Sequence, residues 1–332
     1  MIVTNNKSPL GIRFLMYFAI ALLFVPGIWA RTNPIGPGTA NLRLREAMDT
    51  DGDGKCDFTV FRPDNNTWYI NKSSGGFTYQ PFGLQAVDFE TPGDYDGDGR
   101  GDIAVWRKTD GNWYRLNSSD GTFTGIHWGS DGDEALGRDY DGDGVTDLAV
   151  ARSVSGSKFW YILQSSDNQV ITMQWGISSD IATPGDYDGD GKFDISVFRG
   201  TANNGPATFY TLRSSDGVPA AEQWGLANDV VVPGDYDGDG LTDYAVARDQ
   251  NPSVFWYVLR SSDRTLMAAN FGLSIFDVTT QCDYDGDDIT DISVWRGDEF
   301  GIFYYLNSTD GSFAANQWGS PNDDPVAAYD SH

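Results

Sequence analysis

Short apolar stretches separated by polar turns fill the chain beyond residue 41. In one segment, Ile103-Ala-Val-Trp-Arg107, Asn112-Trp-Tyr-Arg-Leu116 and Phe123 to Gly129 are divided by turns such as Ser118-Ser-Asp-Gly121. Together with the extended stretch that ends at Thr91-Pro-Gly-Asp94, they predict four strands in one antiparallel meander. Helical periodicity is absent from this part of the chain, so the pattern favours an all-β fold.

The same unit recurs along the chain. An acidic loop begins at six places that lie 45 to 49 residues apart: Asp49, Asp94, Asp139, Asp186, Asp235 and Asp283. A degenerate seventh start is found at Ala328-Tyr329-Asp330. A period of this length is typical of propellers and solenoids.

The composition of the strands favours a propeller. Runs such as Ile103-Ala-Val-Trp106 and Ile292-Ser-Val-Trp295 are apolar on both sides, so both faces of each sheet must be covered. Radial packing of sheets covers both faces and leaves short edges, whereas a sandwich exposes one face of each sheet. We therefore predict a β-propeller over residues 42–330, with a linear solenoid as the competing arrangement.

The number of blades follows from the number of loops. If the strand before each acidic loop is the first of its blade, six four-stranded blades are complete between about Leu42 and Gly319. The stretch from Pro325 to Tyr329 is then an additional first strand. It either pairs where the last blade meets the first, or it begins a seventh blade of an incomplete seven-bladed ring.

The N-terminal segment has the layout of a secretory signal peptide. Lys7 and Arg13 precede an apolar run from Phe14 to Ala30, and cleavage is expected after Ala30, with an uncleaved anchor as the alternative. Residues 31–41 are a Pro/Gly-rich linker. We therefore expect a secreted, extracellular protein, with attachment to the cell surface or a periplasmic location as alternatives, and no bilayer insertion after cleavage.

The charge balance narrows the possible partners. The chain has 48 acidic and 22 basic residues and a formal net charge of −26. Such a surface repels nucleic-acid phosphates and anionic lipids and favours multivalent cations. Nucleic acid is therefore excluded as a partner.

The acidic loop reads Asp-x-Asp-Gly-Asp-Gly-x-x-Asp in five of its six copies, and Asp288 replaces a glycine in the sixth. Carboxylates at alternate positions of a tight loop converge on one centre, and hard oxygen ligands suit calcium. Zinc or copper would favour His or Cys ligands, and the chain has two histidines, His127 and His332. We predict up to six calcium ions.

The predicted ligands of each copy are four aspartate carboxylates and the backbone carbonyl at the seventh position. They are Asp49, Asp51, Asp53, Lys55 and Asp57; Asp94, Asp96, Asp98, Arg100 and Asp102; Asp139, Asp141, Asp143, Val145 and Asp147; Asp186, Asp188, Asp190, Lys192 and Asp194; Asp235, Asp237, Asp239, Leu241 and Asp243; and Asp283, Asp285, Asp287, Ile289 and Asp291. An EF-hand is excluded because its twelfth position is a glutamate, whereas this chain has a valine there inside a strand.

Two cysteines, Cys56 and Cys282, border acidic loops of the first and last units. Two cysteines exclude a disulfide-framework fold. A bridge between them would require Cα atoms within about 7 Å, and the sequence leaves open whether they pair.

These features resemble the FG-GAP and VCBS repeat family, whose repeats also form the propeller of integrin α-subunit heads. The resemblance rests on the loop after Pro-Gly, as in Pro184-Gly-Asp-Tyr-Asp-Gly-Asp-Gly191, and on a Phe-Gly or Trp-Gly that ends each unit, as in Trp128-Gly129 and Trp175-Gly176. It implies calcium between the first and second strands of each blade and a role in extracellular adhesion or recognition. Integrin-like heads have seven blades, whereas this chain has six complete units.

For function, the leading hypothesis is a non-catalytic module that recognises an extracellular protein or glycan. The alternatives are a structural spacer or fragment of a larger secreted assembly, and a polysaccharide-active enzyme on a propeller scaffold. For an enzyme, the carboxylates outside the loops, such as Asp88, Glu90, Glu134 and Glu222, show no pairing pattern, so no catalytic residue is predicted.

Two further sets of residues recur at fixed places in the blades, and we interpret both as structural. The first is a set of aromatic residues assigned to inter-blade packing rather than to a sugar platform: Trp68, Trp113, Trp160, Tyr210, Trp256 and Tyr304. The second is a set of arginines assigned to hydrogen-bond anchors within each blade: Arg62, Arg107, Arg152, Arg199, Arg248 and Arg296.

Overall fold

The computed structural model describes residues 47–274 and 276–327. Within this part of the chain, 24 β-strands form six four-stranded antiparallel sheets arranged as the blades of a ring, and there is no α-helix. None of the described residues forms a helix long and apolar enough to span a bilayer. The predicted signal peptide, the linker and the degenerate start at residues 328–330 lie outside the described residues.

The strands of each blade follow chain order, apart from one strand of the first blade. The first blade contains β1 (Phe58–Arg62), β2 (Thr67–Asn71), β3 (Phe77–Pro81) and the last strand of the described residues, β24 (Asp324–Pro325). The second contains β4 (Asp88–Glu90), β5 (Ile103–Arg107), β6 (Asn112–Leu116) and β7 (Phe123–His127). The third contains β8 (Glu134–Ala135), β9 (Leu148–Val154), β10 (Ser157–Leu163) and β11 (Val170–Ile177).

The other three blades repeat this plan. The fourth contains β12 (Ile181–Ala182), β13 (Ile195–Gly200), β14 (Pro206–Leu212) and β15 (Pro219–Leu226). The fifth contains β16 (Val230–Val231), β17 (Tyr244–Gln250), β18 (Ser253–Leu259) and β19 (Leu266–Leu273). The sixth contains β20 (Asp277–Thr279), β21 (Ile292–Gly297), β22 (Gly301–Leu306) and β23 (Phe313–Gln317).

The six-bladed all-β propeller is thus confirmed, but the first blade differs from the prediction. Its innermost strand is not the stretch before Asp49, because β24 occupies that place and pairs Pro325 with Val60. The backbone N–H of Val326 also donates to the carbonyl of Thr59 at 3.0 Å. Pairing the end of the chain with β1 satisfies an otherwise open strand edge, so the ring closes with six blades and not seven.

Large aromatic side chains fill the space between blades. The third strand of each blade contributes one that is at most 1% exposed: Trp68, Trp113, Trp160, Phe209, Trp256 and Phe303. The packing interpretation therefore holds for the four tryptophans. Tyr210 and Tyr304 also pack against the core of the preceding blade, but Phe209 and Phe303 occupy the position equivalent to the tryptophans, so the predicted position was wrong by one residue. Successive residues of a strand point to opposite faces, so those tyrosines lie on the other face, beneath the guanidinium groups of Arg199 and Arg296.

The recurring arginines anchor the innermost strands. Each makes two hydrogen bonds to one buried aspartate at or next to the first strand of its blade; Arg152 Nε and Nη2, for example, lie 2.6 and 2.7 Å from the Asp133 carboxylate. The pairs are Arg62–Asp323, Arg107–Asp88, Arg152–Asp133, Arg199–Asp180, Arg248–Asp229 and Arg296–Asp277. Arg62–Asp323 joins the two ends of the described chain, which reinforces the closure.

Candidate metal centres

The first aspartate of each acidic loop organises the turn. In the second loop, the two carboxylate oxygens of Asp94 accept the backbone N–H groups of Gly97 and Gly99 at 2.7 and 2.8 Å. Both glycines have positive φ, 78° and 81°, which a side chain would strain. The arrangement recurs in all six loops, and in the sixth Asp288 adopts φ 70° and donates in place of the second glycine.

The aspartate at the ninth position connects the loop to the rest of its blade through hydrogen bonds. Oδ2 of Asp102 accepts the N–H of Tyr95 at 2.8 Å, and Oδ1 accepts the N–H of Ser118 at 2.6 Å. Ser118 lies in the turn between the third and fourth strands, which the meander brings back to the same end of the blade. The corresponding bonds are formed by Asp57, Asp147, Asp194, Asp243 and Asp291.

A pair of hydroxyl residues in that turn holds the other two carboxylates. Ser118 Oγ donates to Asp98 at 2.9 Å, and Ser119 Oγ donates to Asp96 at 2.5 Å. Five units carry a Ser-Ser pair here and the sixth carries Ser308-Thr309. The sequence pattern predicts only a turn at these residues, although their recurrence at a similar distance from each acidic loop indicates a role in the loop.

The aspartate at the third position of the loop retains one oxygen atom without a hydrogen-bond partner. Oδ1 is buried and accepts no hydrogen bond in five loops, at Asp51, Asp96, Asp188, Asp237 and Asp285. In the third loop, Oδ1 of Asp141 accepts only the N–H of Asp143, at 3.2 Å. A buried, unpaired carboxylate oxygen is costly unless a cation or donor reaches it, so the donor set fits a bound cation.

Carboxylate oxygens of three aspartates in each group lie within 4.8 Å of one another. These groups include Asp49, Asp51 and Asp53; Asp94, Asp96 and Asp102; Asp139, Asp141 and Asp147; Asp186, Asp188 and Asp194; and Asp235, Asp237 and Asp239. The second to fourth groups thus leave out the fifth-position aspartate, and the first and fifth groups leave out the ninth. The structure therefore brings three of the four predicted carboxylates of each of these loops to one centre.

The electrostatics of the loops also favour a cation. Burial raises the pKa of Asp147, Asp194, Asp243 and Asp291 to about 7, against the opposing effect of the backbone hydrogen bonds they accept. The negative charge of the third-position aspartate adds to this increase in pKa. A bound cation would favour the ionised carboxylates and reverse the direction of the shift.

The six loops are also connected to one another. The backbone N–H at the eighth position of each loop donates to the carbonyl of the first aspartate in the preceding loop, as Gly101 does to Asp49 at 2.8 Å. The series continues through all blades and closes where Cys56 N–H donates to the carbonyl of Asp283 at 2.8 Å. All six candidate centres therefore lie at one end of the ring, which we call the acidic end.

Cys56 and Cys282 are joined by a disulfide at this closure, with Cα atoms 6.1 Å apart. Beside it, the Lys55 side chain covers Gly286 of the sixth loop, and its Nζ donates to the carbonyl of Asp285 at 2.8 Å. The first and last blades are thus fastened at the acidic end by covalent and polar contacts.

The other end of the ring carries exposed apolar side chains. Innermost strands run toward the acidic loops, so they begin at the opposite end. Ile181 and Val230 are the first residues of β12 and β16 and are 38% and 42% exposed, and Phe89, the second residue of β4, is 46% exposed. Exposed residues of the connections that lead into the blades lie at the same end. We call this surface the apolar end: Leu84, Phe89, Ile181, Val230, Leu273 and Phe276.

Three of the carboxylates considered for catalysis are held in ion pairs. Asp88 binds Arg107, Glu134 binds Lys158 at 2.7 Å, and Glu222 binds Arg264. Each carboxylate serves as the partner of a basic group on another strand or turn.

Comparison with known proteins identifies the repeat. Residues 139–197, from the third acidic loop into β13, match the family model of the FG-GAP-like repeat, which confirms the resemblance found in the sequence. None of the curated protein sequences matches the chain.

Three solved structures align with much of the chain at low similarity. An oligogalacturonate lyase in complex with manganese aligns with a TM-score of 0.46 at 13% identity, over 82% of this chain and 76% of the lyase. A rhamnogalacturonan lyase aligns with a TM-score of 0.35 at 11% identity, over 80% and 73%. A dihydro-heme d1 dehydrogenase aligns with a TM-score of 0.37 at 12% identity, over 91% and 64%. At this level of similarity, the activities are properties of those proteins and do not transfer to this chain.

Proposed function

Because the chain is an FG-GAP repeat protein built as a six-bladed propeller, we propose that it is a calcium-loaded recognition module for an extracellular protein or glycan, with no catalytic activity of its own. The N-terminal signal-peptide pattern supports secretion. Calcium in the acidic loops would hold the ring rigid, and the loops and strand ends of the ring would carry the contacts to the partner.

The buried Oδ1 atoms of the third-position aspartates carry the calcium part of the proposal. Both oxygens of the first- and ninth-position aspartates accept N–H groups, as in Asp94 and Asp102, whereas these buried atoms accept none in five of the six loops. Carboxylate ligands and an absence of nearby histidine favour a hard divalent cation. Calcium at extracellular concentrations suits sites of this kind, which bind with dissociation constants of about 0.1 to 1 mM.

The ion pairs outside the loops support a non-catalytic role. A general acid or base needs a pKa and a position suited to proton transfer with a substrate. Asp88 instead makes two charge-assisted hydrogen bonds to Arg107, and its side chain is 2% exposed. Such a carboxylate stabilises a blade and is poorly placed to exchange protons with a substrate.

The apolar end is the surface we propose for the partner. Phe89, Ile181 and Val230 lie on the innermost strands of three blades, and Phe276, which directly precedes β20, is 56% exposed. Exposed apolar residues grouped in this way are typical of binding surfaces. The buried tryptophans, by contrast, are inaccessible to a glycan.

A binding screen tests the proposal directly. Protein without residues 1–30 is applied to glycan arrays and to a panel of extracellular matrix proteins, in calcium and in EDTA. We expect a discrete partner that binds in calcium and is lost in EDTA. The double variant Phe89→Glu/Val230→Glu should lose the partner without a change in melting temperature, whereas Phe123→Glu, an exposed aromatic residue at the acidic end, should retain it.

Two other results would contradict this role. Binding of no partner in either condition would favour a structural spacer in a larger assembly. Cleavage of a polysaccharide on the array, detected as new reducing or unsaturated ends, would favour an enzyme.

A further inference from the structure

The fifth acidic loop contains an ion pair between a candidate ligand carboxylate and an arginine side chain. Nε of Arg260 lies 3.3 Å from Oδ2 of Asp237, the third-position aspartate, and the Asp237 side chain is 1% exposed. The Arg260 guanidinium also reaches Asp263 of its own turn, with Nη1 3.4 Å from Oδ2. A positive charge is therefore fixed beside a candidate calcium ligand.

Among the described residues at the equivalent position of the blades, Arg260 is the one paired with a third-position aspartate. The residue just before the hydroxyl pair is Lys72, Asn117, Gln164, Arg213, Arg260 and Asn307 in the six units. Arg213 is the informative comparison, because it has the same side chain at the same place. It binds Asp216 of its own turn with two hydrogen bonds, at 3.1 and 2.5 Å.

The hydroxyl contacts of the fifth loop are otherwise like those of its neighbours. Ser262 Oγ donates to Oδ2 of Asp237 at 2.5 Å, as Ser215 Oγ does to Asp188 in the fourth loop at 2.6 Å. Oδ1 of Asp237 remains buried and unpartnered, so the loop keeps its predicted ligand atom. Arg260 therefore changes the charge around the centre without replacing the ligand.

We propose that Arg260 lowers the calcium affinity of the fifth loop and stabilises the loop when calcium is absent. A unit positive charge several ångströms from a divalent cation, in a medium close to water, lowers affinity about tenfold. The same charge offsets the repulsion among Asp235, Asp237 and Asp239 in the metal-free loop. This inference rests on the proposed calcium binding.

Calcium titration of two matched variants tests the inference. Metal-stripped wild type, Arg260→Gln and Arg213→Gln are titrated by calorimetry, and their melting temperatures are measured in EDTA and in saturating calcium. Glutamine is the residue of the third blade at this position, Gln164. We expect one dissociation constant to fall about tenfold in Arg260→Gln and all of them to stay unchanged in Arg213→Gln.

The melting temperatures supply an independent readout. Arg260→Gln should melt lower than wild type in EDTA, so its gain on adding calcium should be larger. In a background with Asp237→Asn and Asp239→Asn, which removes the fifth site, Arg260→Gln should no longer change calcium affinity. Should Arg260→Gln fail to fold, Arg260→Asn, with the residue type of Asn117 and Asn307, replaces it.

The possible failures are distinguishable. If wild type binds calcium and Arg260→Gln binds it with the same dissociation constants, the role of Arg260 is overturned. The same holds if Arg213→Gln has an equal effect. Neither result would contradict the proposed function. An absence of calcium binding by wild type would overturn both this inference and the proposed function.

Discussion

The response of the metal-free protein to pH should be opposite to that of the calcium-loaded protein. In the metal-free fold, burial raises the pKa of Asp147, Asp194, Asp243 and Asp291 from 3.8 to about 7. Between these two values the folded state binds more protons than the unfolded state. Stability therefore falls as pH rises from about 4 to 7, and is lowest above 7.

The expected magnitude is large. A shift of about 3 pKa units corresponds to about 4 kcal/mol for one carboxyl group. A typical domain has about 5–15 kcal/mol of stability, so two or three such groups are enough to make the metal-free fold marginal at pH 8. Bound calcium favours the ionised carboxylates, so the loaded protein should instead lose stability as pH falls and protons displace the ion.

Two assays measure this behaviour. Thermal melts between pH 5 and 8 should show the melting temperature falling with pH in the chelated protein and rising with pH in calcium. Calcium titration at pH 6.5, in two buffers of different ionisation enthalpy, should show that several protons are released per protein. Parallel pH profiles with and without calcium, together with no proton release, would refute the assignment of these carboxylates to the metal centres.

Three substitutions test other parts of the structure. Cys56→Ser with Cys282→Ser should lower the free energy of unfolding by about 2–5 kcal/mol in denaturant titrations, because the bridge closes a loop of most of the domain; an unchanged midpoint would show that the bridge does not stabilise the closure. Trp113→Ala should cost about 3–5 kcal/mol in the same assay, since the side chain is fully buried; a cost below about 1 kcal/mol would contradict its place between the blades. Arg152→Ala should lower the free energy of unfolding by about 2–3 kcal/mol, because Asp133 stays buried without its partner. If the double variant Arg152→Ala/Asp133→Asn does not show this loss, the uncompensated charge of Asp133 is its cause; an equal loss in both variants would contradict this explanation.

Local features of the sequence were sufficient to predict the blades. The recurrence of the acidic loop sets the period, and strands such as Ile103–Arg107 are apolar on both sides because blades cover both faces. It was harder to predict whether Phe209 or Tyr210 occupies the buried position that tryptophan has in other blades. A shift of one residue moves a side chain to the other face of a strand, and neighbouring aromatic residues make both registers plausible in the sequence.

Contacts between residues that are far apart in the sequence were harder to predict. Pairing of β24 with β1 joins residues more than 260 positions apart, and only the closed ring shows which strand fills the first blade. The contact between Arg260 and Asp237 likewise depends on which way a flexible side chain turns, since Arg213 turns the other way. The close approach of the loop carboxylates was easier to predict, because all four carboxylates of a loop lie within nine residues.

Calorimetric titration of calcium into the metal-stripped protein, followed by thermal melts, tests the central claim most directly. At about 2 mM calcium and a dissociation constant of about 0.1 mM, each site adds about 1.8 kcal/mol, so six sites add about 11 kcal/mol. The account predicts five or six sites and a rise in melting temperature of many degrees. No heat of binding and the same melting temperature in calcium and in EDTA would contradict it, and would mean that the acidic loops are turns that need no ion.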